Sequence, residues 1–216
     1  MKAMILSAGR GERMRPLSDT LPKPLLEVRG KPLIVHHLER LAHNGFTEVI
    51  INIAHLGHMI PDTLGSGAEW GLHITYSDEQ STGALESAGG IVNALPLLGE
   101  TFVVINGDIW CDYEVTPHYQ LKQYLAHLIL VPNPPQHLEG DFALVNGHVT
   151  NQGTQQWTFS GIGYYRRELF KNLTPAPLPL APLLREAAAN RRVSGMLYEG
   201  VWHDVGTPAR LKALRS

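Results

Sequence analysis

The feature of this chain that most constrains its fold is a short apolar run near the start, which leads directly into a glycine-containing loop. Lys2–Ser7 is typical of a short buried strand, and Gly9 and Gly11 follow it at once. In an open α/β sheet, ligands bind at the loops that follow the carboxyl ends of parallel strands. The first residues therefore predict both a class of fold and the position of a binding site.

The rest of the first half alternates between helical and extended patterns. Apolar residues recur at three- and four-residue spacings over residues 33–42, with Pro32 and Gly45 suited to the start and the end of a helix. The other predicted segments are strands at 48–53, 73–77 and 101–106 and helices at 56–64 and 87–95. This alternation predicts an α/β fold with a Rossmann-like, doubly wound and mostly parallel sheet.

After Asp108 the pattern becomes typical of a smaller α+β portion. Asn146-Gly147 supplies the positive φ angles of a tight hairpin turn between two short apolar stretches. The other predicted segments are strands at 125–131, 196–199 and 202–205 and helices at 183–190 and 208–214. Because no linker-like segment divides the chain, we expect residues 1–216 to form one domain with two halves, residues 1–110 and residues 111–216.

Composition excludes several classes of protein. A chain of 216 residues that is 44% hydrophobic can bury a large core without disulfides or a structural metal. Its net charge of -2 gives no general reason to bind nucleic acid or an anionic membrane. The lone cysteine, Cys111, cannot form an internal bridge, and neither a signal peptide nor a membrane span is evident. We expect a cytoplasmic protein, monomeric or a small homo-oligomer, that holds any phosphate locally.

The loop over residues 6–17 is suited to anionic oxygens. Glycines let backbone N–H groups approach a ligand closely, and arginines add forked donors that suit phosphate. These residues are Gly9, Gly11, Arg10, Arg13 and Arg15. A dinucleotide fingerprint would need glycine where Met14 stands, and a Walker A loop would need Ser or Thr where Pro32 stands. Both of those motifs are therefore excluded.

Several segments together resemble the sugar-1-phosphate nucleotidylyltransferases. The loop reads Leu-Ser-Ala-Gly-Arg-Gly-Glu-Arg-Met-Arg-Pro-Leu over residues 6–17, and Pro22-Lys23-Pro24-Leu25 follows. The similarity continues through Asn106-Gly107-Asp108, Phe159-Ser160-Gly161-Ile162 and Trp202-His203-Asp204-Val205-Gly206-Thr207-Pro208, and so spans nearly the whole chain. The resemblance implies that residues 1–110 bind a nucleotide and residues 111–216 bind a sugar.

The implied reaction is attack by a sugar 1-phosphate oxygen on the α-phosphorus of a nucleoside triphosphate, with release of pyrophosphate. By resemblance, Lys23 bridges the two phosphates, and Arg13 grips the leaving pyrophosphate. Asp108 and Asp204 are expected to hold Mg²⁺, which commonly takes only one or two protein carboxylates. Taken singly, Asp108 also suits a turn and Asp204 a helix cap. No separate base is assigned, because the attacking oxygen is already ionised.

The resemblance also assigns binding residues. For the nucleotide they are Ala8, Gly9, Gly11, Arg13, Lys23, Gly89, Asn106 and one of Glu79 and Gln80, which remain alternatives as the reader of the base edge. For the sugar they are Asp141, Ser160 and Gly161.

The substrates expected are UTP and a muramate-type sugar 1-phosphate, which would place the chain in peptidoglycan recycling. Hexose-specific relatives carry Glu-Lys-Pro where Gln152–Gln156 stands here, and this departure favours the muramate-type sugar. A mannose or glucose 1-phosphate guanylyl- or thymidylyltransferase remains an alternative. A non-catalytic nucleotide-sugar sensor is a second class of function, but it would not need to keep the charge-neutralising set of arginine, lysine and two aspartates.

Overall fold

The structure is a computed structural model that describes residues 1–80 and 83–215. Its strands are β1 (Lys2–Leu6), β2 (Glu27–Val28), β3 (Lys31–Pro32), β4 (Glu48–Ile53), β5 (His73–Asp78), β6 (Thr101–Asn106), β7 (Ile109–Cys111), β8 (Ala126–Val131), β9 (Phe142–Val145), β10 (His148–Thr150), β11 (Gln156–Arg166), β12 (Val193–Leu197) and β13 (Trp202–Asp204). Its helices are α1 (Leu33–His43), α2 (Met59–Leu64), α3 (Glu86–Ala94), α4 (Leu180–Ala189) and α5 (Pro208–Arg215).

One nine-stranded sheet, in the order β5-β4-β1-β6-β11-β8-β12-β10-β9, runs through both halves of the chain. The strands of the first half, β5, β4, β1 and β6, are parallel to their neighbours, as the alternating pattern predicts. In the second half, β11 is antiparallel to both β6 and β8, and β12 returns parallel to β8. The α/β prediction is confirmed, and the two halves share a single mixed sheet.

Apolar residues on both faces of this sheet explain why helices pack against both of them. Strands β1, β6 and β8 are apolar along almost their whole length, as is typical of strands that are buried on both faces. One core cluster joins Ile34 and Leu38 of α1 to Ile5 and Ile51 of the sheet. A second cluster, on the opposite face, includes Ile91 of α3 and residues of α4. The sheet is therefore packed between two helical layers.

Some element boundaries differ from the sequence predictions. Helix α4 begins at Leu180 rather than at residue 183, because Pro182 is tolerated in a first helical turn where its missing N–H would have no partner. Strand β12 covers Val193–Leu197 rather than residues 196–199, in register with β8. The full length of β11, eleven residues, also exceeds the short stretch that its motif indicated.

A third cluster fixes the first loop to the end of the chain. Met14, which is fully buried, packs with Val205 and with Leu211 and Leu214 of α5. The loop after β1 is therefore held beside β13, although the two are far apart in sequence.

Within residues 1–80 and 83–215, no helix has both the length and the apolarity needed to cross a bilayer.

Candidate active site

The loop after β1 folds back on itself through three short 3-10 turns, at Glu12–Met14, Leu17–Asp19 and Lys23–Leu25. Gly11 has a φ of 63°, in the left-handed region that favours glycine. The Ser18 hydroxyl donates a hydrogen bond of 2.8 Å to the Gly11 carbonyl. A Cβ on Gly11 would lie 3.3 Å from that of Ser18 and 3.4 Å from that of Lys23. This close fold brings Lys23 under the glycine loop.

A cavity of about 520 Å³, which we call the loop cavity, lies beyond the carboxyl ends of β1, β4 and β6. This is the edge of the sheet where open α/β folds bind ligands. Its lining includes seven residues predicted from the sequence: Ala8, Gly9, Gly11, Arg13, Lys23, Asn106 and Asp108. Gly9 faces open space, since nothing lies within 4 Å of a Cβ built there. The structure therefore brings most of the predicted nucleotide-binding residues together.

A second cavity of about 370 Å³, the aspartate cavity, is lined by both predicted metal ligands, Asp108 and Asp204. They meet because β13 pairs antiparallel with β7, with Asp204 opposite Ile109, and because the Val205 N–H donates a 2.8 Å hydrogen bond to the Asp108 carbonyl. Arg13 and Asn106 line this cavity as well as the loop cavity, so the two form one cleft.

Each of the two aspartates is paired with a cation. Lys23 Nζ lies 2.5 Å from Asp108 Oδ2, and Arg210 pairs with Asp204 Oδ2. The Lys23 side chain is only 10% exposed, so little water screens its charge. In the part of the chain that the structure describes, both carboxylates use only Oδ2 in their ion pairs. Each therefore keeps one oxygen that is not committed to a cation.

These two carboxylates fit a magnesium site that substrate oxygens complete. Mg²⁺ prefers hard oxygen ligands and usually keeps waters or substrate phosphates in its shell. No cluster of three or more His, Cys, Asp or Glu side chains able to hold a metal is present in residues 1–80 and 83–215. Asp108 and Asp204 line one cavity, and their carboxylate oxygens are of the kind that Mg²⁺ accepts.

A bulge in β11 shapes the wall of the cleft. The register between β11 and β8 shifts between Phe159 and Ile162, which sets Ser160 and Gly161 out of the regular ladder. Gly161 has a φ of 85°, and a Cβ built there would lie 2.6 Å from Asn106 Nδ2. The absence of a side chain at residue 161 therefore lets Asn106 approach the strand. Ser160 lines the aspartate cavity.

Asp141 lies in a third part of the cleft, a cavity of about 450 Å³ against α4 that we call the α4 cavity. Its Oδ2 accepts a 2.8 Å hydrogen bond from the Phe159 N–H, and His137 Nε2 lies 3.0 Å from its Oδ1. Asn106 and Phe159 line both this cavity and the aspartate cavity. Of the predicted sugar-binding residues, Ser160 and Asp141 thus line connected cavities, whereas Gly161 is not part of the lining of either.

Glu79 and Gln80, the two alternatives for reading the base edge, do not line the loop cavity. Glu79 is 0% exposed, and its carboxylate accepts hydrogen bonds from Asn52 Nδ2 and the Leu85 N–H, at 2.8 and 2.9 Å. Burial raises the pKa of this carboxyl. Gln80 is exposed, donates to Asp78 and does not line the loop cavity. The structure therefore holds Glu79 in the interior at the end of β5 and leaves Gln80 outside the lining of the loop cavity, and a base-reading role for either residue stays a prediction.

Gly89, which the sequence assigned to the nucleotide, packs closely against the segment before α4. A Cβ built on Gly89 would lie 2.0 Å from the Ala176 carbonyl oxygen. The Gly89 N–H donates a 3.2 Å hydrogen bond to the Leu178 carbonyl. This glycine therefore lets the segment before α4 pack on α3, and its assignment to the nucleotide stays a prediction.

Sequence reasoning missed several cleft residues, of which Asn52 is the most informative. Its Oδ1 accepts a 2.7 Å hydrogen bond from the Ser7 N–H while its Nδ2 donates to Glu79, and it lines the loop cavity. An asparagine near the end of an otherwise apolar strand is the signal that could have identified it. Arg210 carries no such signal, because only the fold of α5 brings it to Asp204.

Comparison with known proteins shows which family this chain resembles. The family model for Nucleotidyl transferase matches residues 2–145. The chain is 51% identical to the N-acetylmuramate alpha-1-phosphate uridylyltransferase of Neisseria meningitidis serogroup B, over 98% of this chain and 96% of the relative. It is 34% identical to the enzyme of the same name from Caulobacter vibrioides, over 98% of this chain and 94% of the relative.

A solved structure supports the fold. The crystal structure of a Bacillus anthracis protein assigned as a glucose-1-phosphate thymidylyltransferase, in complex with sucrose, superposes with a TM-score of 0.85. It covers 100% of this chain and 94% of that chain at 24% identity, which is evidence for the fold alone. With the profile match and the two full-length relatives, the chain belongs to the nucleotidyl transferase family, among its sugar-1-phosphate nucleotidyltransferases.

Proposed function

We propose that this protein transfers the uridylyl group of UTP to N-acetylmuramate 1-phosphate and forms UDP-N-acetylmuramate and pyrophosphate. The observation that carries the proposal is the convergence of Arg13, Lys23, Asp108 and Asp204 on one cleft. The choice of substrates is supported by the two full-length relatives that carry this activity in their names.

The reaction brings two anions together, so charge neutralisation and in-line positioning supply most of its catalysis. A phosphate oxygen of the sugar 1-phosphate forms a bond to the α-phosphorus of UTP, and the bond from that phosphorus to the bridging oxygen of pyrophosphate breaks. Lys23 binds both phosphates from beneath the glycine loop. Arg13, which lines both the loop cavity and the aspartate cavity, holds the leaving pyrophosphate.

The glycine loop binds the triphosphate side of the reaction. Ala8, Gly9 and Gly11 line the loop cavity, where backbone N–H groups can donate to phosphate and ribose oxygens. Asp108 and Asp204 would hold Mg²⁺, which neutralises the triphosphate and the developing pyrophosphate charge when bound. Ser160 and Asp141 line the part of the cleft in which the sugar lies, and Gly161 shapes it by letting Asn106 approach β11.

A pyrophosphate-release assay tests this proposal directly. Purified protein is given each of UTP, GTP and dTTP with each of N-acetylmuramate, N-acetylglucosamine, glucose and mannose 1-phosphates, with and without Mg²⁺. The proposal expects the highest kcat/KM for UTP with N-acetylmuramate 1-phosphate and no turnover after chelation. A preference for GTP or dTTP with a hexose 1-phosphate would establish the alternative activity, and binding without turnover of any pair would establish a sensor.

The proposed product contains an amino sugar of the bacterial cell wall, so the reaction would serve peptidoglycan recycling. We further propose a reducing cytoplasmic location, which is supported by the single free cysteine, Cys111, being buried.

A further inference from the structure

Arg185, on α4, is a cation at the edge of the candidate active site that the proposed reaction does not use. It lines the α4 cavity beside Asp141 and Phe142. Because that cavity shares Asn106 and Phe159 with the aspartate cavity, Arg185 faces the same cleft as the predicted sugar-binding residues.

The guanidinium of Arg185 is held in place by an aromatic ring and not by an acid. Its Cζ lies 4.9 Å from the centroid of the Phe142 ring, a distance typical of a cation–π contact. In residues 1–80 and 83–215, no carboxylate oxygen lies within 4 Å of its nitrogens. Asp141, in the same cavity, is engaged by His137 and Phe159. The planar donors of Arg185 are therefore available to a ligand.

The backbone that carries Arg185 is fixed to its surroundings. The Leu178 N–H donates to the Leu85 carbonyl, and the Ala88 N–H donates back to the Leu178 carbonyl, each at 3.0 Å. On α4 itself, Asn151 Nδ2 donates a 2.8 Å hydrogen bond to the Arg185 carbonyl. Because this backbone is already fixed, binding a ligand through Arg185 requires ordering of its side chain but not of the helix that carries it.

The remaining charges of the α4 cavity define what Arg185 can do. Glu86 and Asp141 line the same cavity and would repel a negatively charged sugar substituent. Arg185 is the cation in its lining that can offset this repulsion. Arginine presents a planar fork of N–H donors that matches a carboxylate.

We propose that Arg185 binds a carboxylate carried by the sugar substrate, and so selects an acidic sugar over its neutral counterpart. This inference rests on the proposed function, in which the sugar is N-acetylmuramate. The lactyl ether of that sugar carries the carboxylate that N-acetylglucosamine lacks. Arg185 is in this view a specificity residue that contacts the substrate and takes no part in bond making.

The test compares the acidic and the neutral sugar in Arg185→Leu and in a matched control. Arg185→Leu is expected to lower kcat/KM for N-acetylmuramate 1-phosphate by about 10- to 100-fold, mostly through KM, and to change that for N-acetylglucosamine 1-phosphate by less than about twofold. Arg185→Lys keeps the positive charge but not the planar fork of N–H donors. Its kcat/KM for N-acetylmuramate 1-phosphate should therefore fall between those of the wild type and of Arg185→Leu. Lys171→Leu removes an exposed cation outside the α4 cavity and leaves both values unchanged.

Product binding gives a second measurement that does not depend on turnover. By calorimetry, Arg185→Leu should weaken UDP-N-acetylmuramate by about 10- to 100-fold and leave UDP-N-acetylglucosamine unchanged. Equal losses for both sugars, or no loss for the acidic one, overturn the role of Arg185 while the proposed function stands. If the wild-type protein neither turns over nor binds the acidic sugar, the proposed function fails and the inference fails with it.

Discussion

Replacement of Lys23 by methionine removes a nearly buried positive charge from the cleft while it keeps the length of the side chain. Lys23 Nζ lies 2.5 Å from Asp108 Oδ2, and its side chain is 10% exposed. Asp108 lines both the loop cavity and the aspartate cavity. The substitution therefore tests whether the charge at residue 23 stabilises the reacting phosphates.

Lys23→Met should lower both the activity and the thermal stability, and the structure allows the size of each loss to be worked out separately. A unit charge about 4 Å from a phosphate charge, at an effective dielectric constant of about 20, contributes roughly 4 kcal/mol, which corresponds to about a thousandfold in kcat/KM. The Asp108 side chain is 35% exposed, so water can solvate it once its partner is lost. A partly exposed ion pair is worth about 1 kcal/mol or less, so Tm should fall by only about 2–4 °C.

Pyrophosphate release at several UTP and sugar phosphate concentrations gives kcat/KM, and thermal unfolding gives Tm. Lys31→Met is the matched control, because Lys31 Nζ lies 2.7 Å from Glu39 Oε1 in an exposed ion pair outside the cleft. We expect Lys31→Met to keep full turnover. A loss smaller than about tenfold for Lys23→Met, with the fold intact, would refute the assigned role.

Three other predictions follow from the site and the core. Asp108→Asn and Asp204→Asn should each lower turnover by at least about a hundredfold; calorimetry should show that Mg²⁺ no longer promotes UTP binding, and unaltered promotion would contradict the metal assignment. Gly161→Ala should destabilise the fold by about 1–2 kcal/mol in urea unfolding, because a Cβ there lies 2.6 Å from Asn106 Nδ2 at a φ of 85°; unchanged stability would count against the close approach. Burial lowers the pKa of His37 to about 4 from 6.5, so its contribution to stability is complete above pH 6.5 and is lost as the pH falls through 4. His37→Leu should therefore remove about 3 kcal/mol of the acid sensitivity between pH 7 and pH 4, and parallel stability curves for the variant and the wild type would refute this.

The parallel half of the fold could be predicted from sequence because its signals are local. Strands β1, β4 and β6 of the main sheet are short, mostly apolar runs, and the helix α1 has an apolar face at helical spacing. The glycine loop could be placed for the same reason, since it follows a buried strand directly. Arg13, Lys23 and Asp108 then line the cleft because the loop and the end of β6 share one edge of the sheet.

Long-range contacts that the sequence does not show decide where Glu79 and Gly89 lie in the structure. Both residues are close in sequence to residues that line the cleft, and a carboxylate and a glycine are both suited to contact with a ligand. Asn52 turns the Glu79 carboxylate into the interior, and the Ala176 carbonyl occupies the space beside Gly89. In the sequence, a glutamate that will be buried against an amide cannot be told from a glutamate that binds a ligand. The same is true of a glycine that serves close packing.

The position of β11 in the middle of the sheet could not be predicted from the local sequence pattern either. Its motif, Phe159-Ser160-Gly161-Ile162, indicated a strand, but not that this strand would pair with both β6 and β8. Pairing partners depend on which edges remain open after the other strands have assembled. The register shift at Ser160 and Gly161, which shapes the cleft, is therefore visible only in the structure.

The cleft lies where the sheet changes direction, and this explains why residues from both halves of the chain are needed to build it. Strand β6 is parallel to β1 on one side and antiparallel to β11 on the other. Asn106, at the end of β6, lines all three cavities, and its position depends on the missing side chain of Gly161. The loop after β1 supplies the cations Arg13 and Lys23, and β13 supplies the second aspartate, Asp204. The first half of the chain holds these cations, and the second half holds the second aspartate. The site can therefore form only when the two halves pack together, as they do at Asn106 and Gly161.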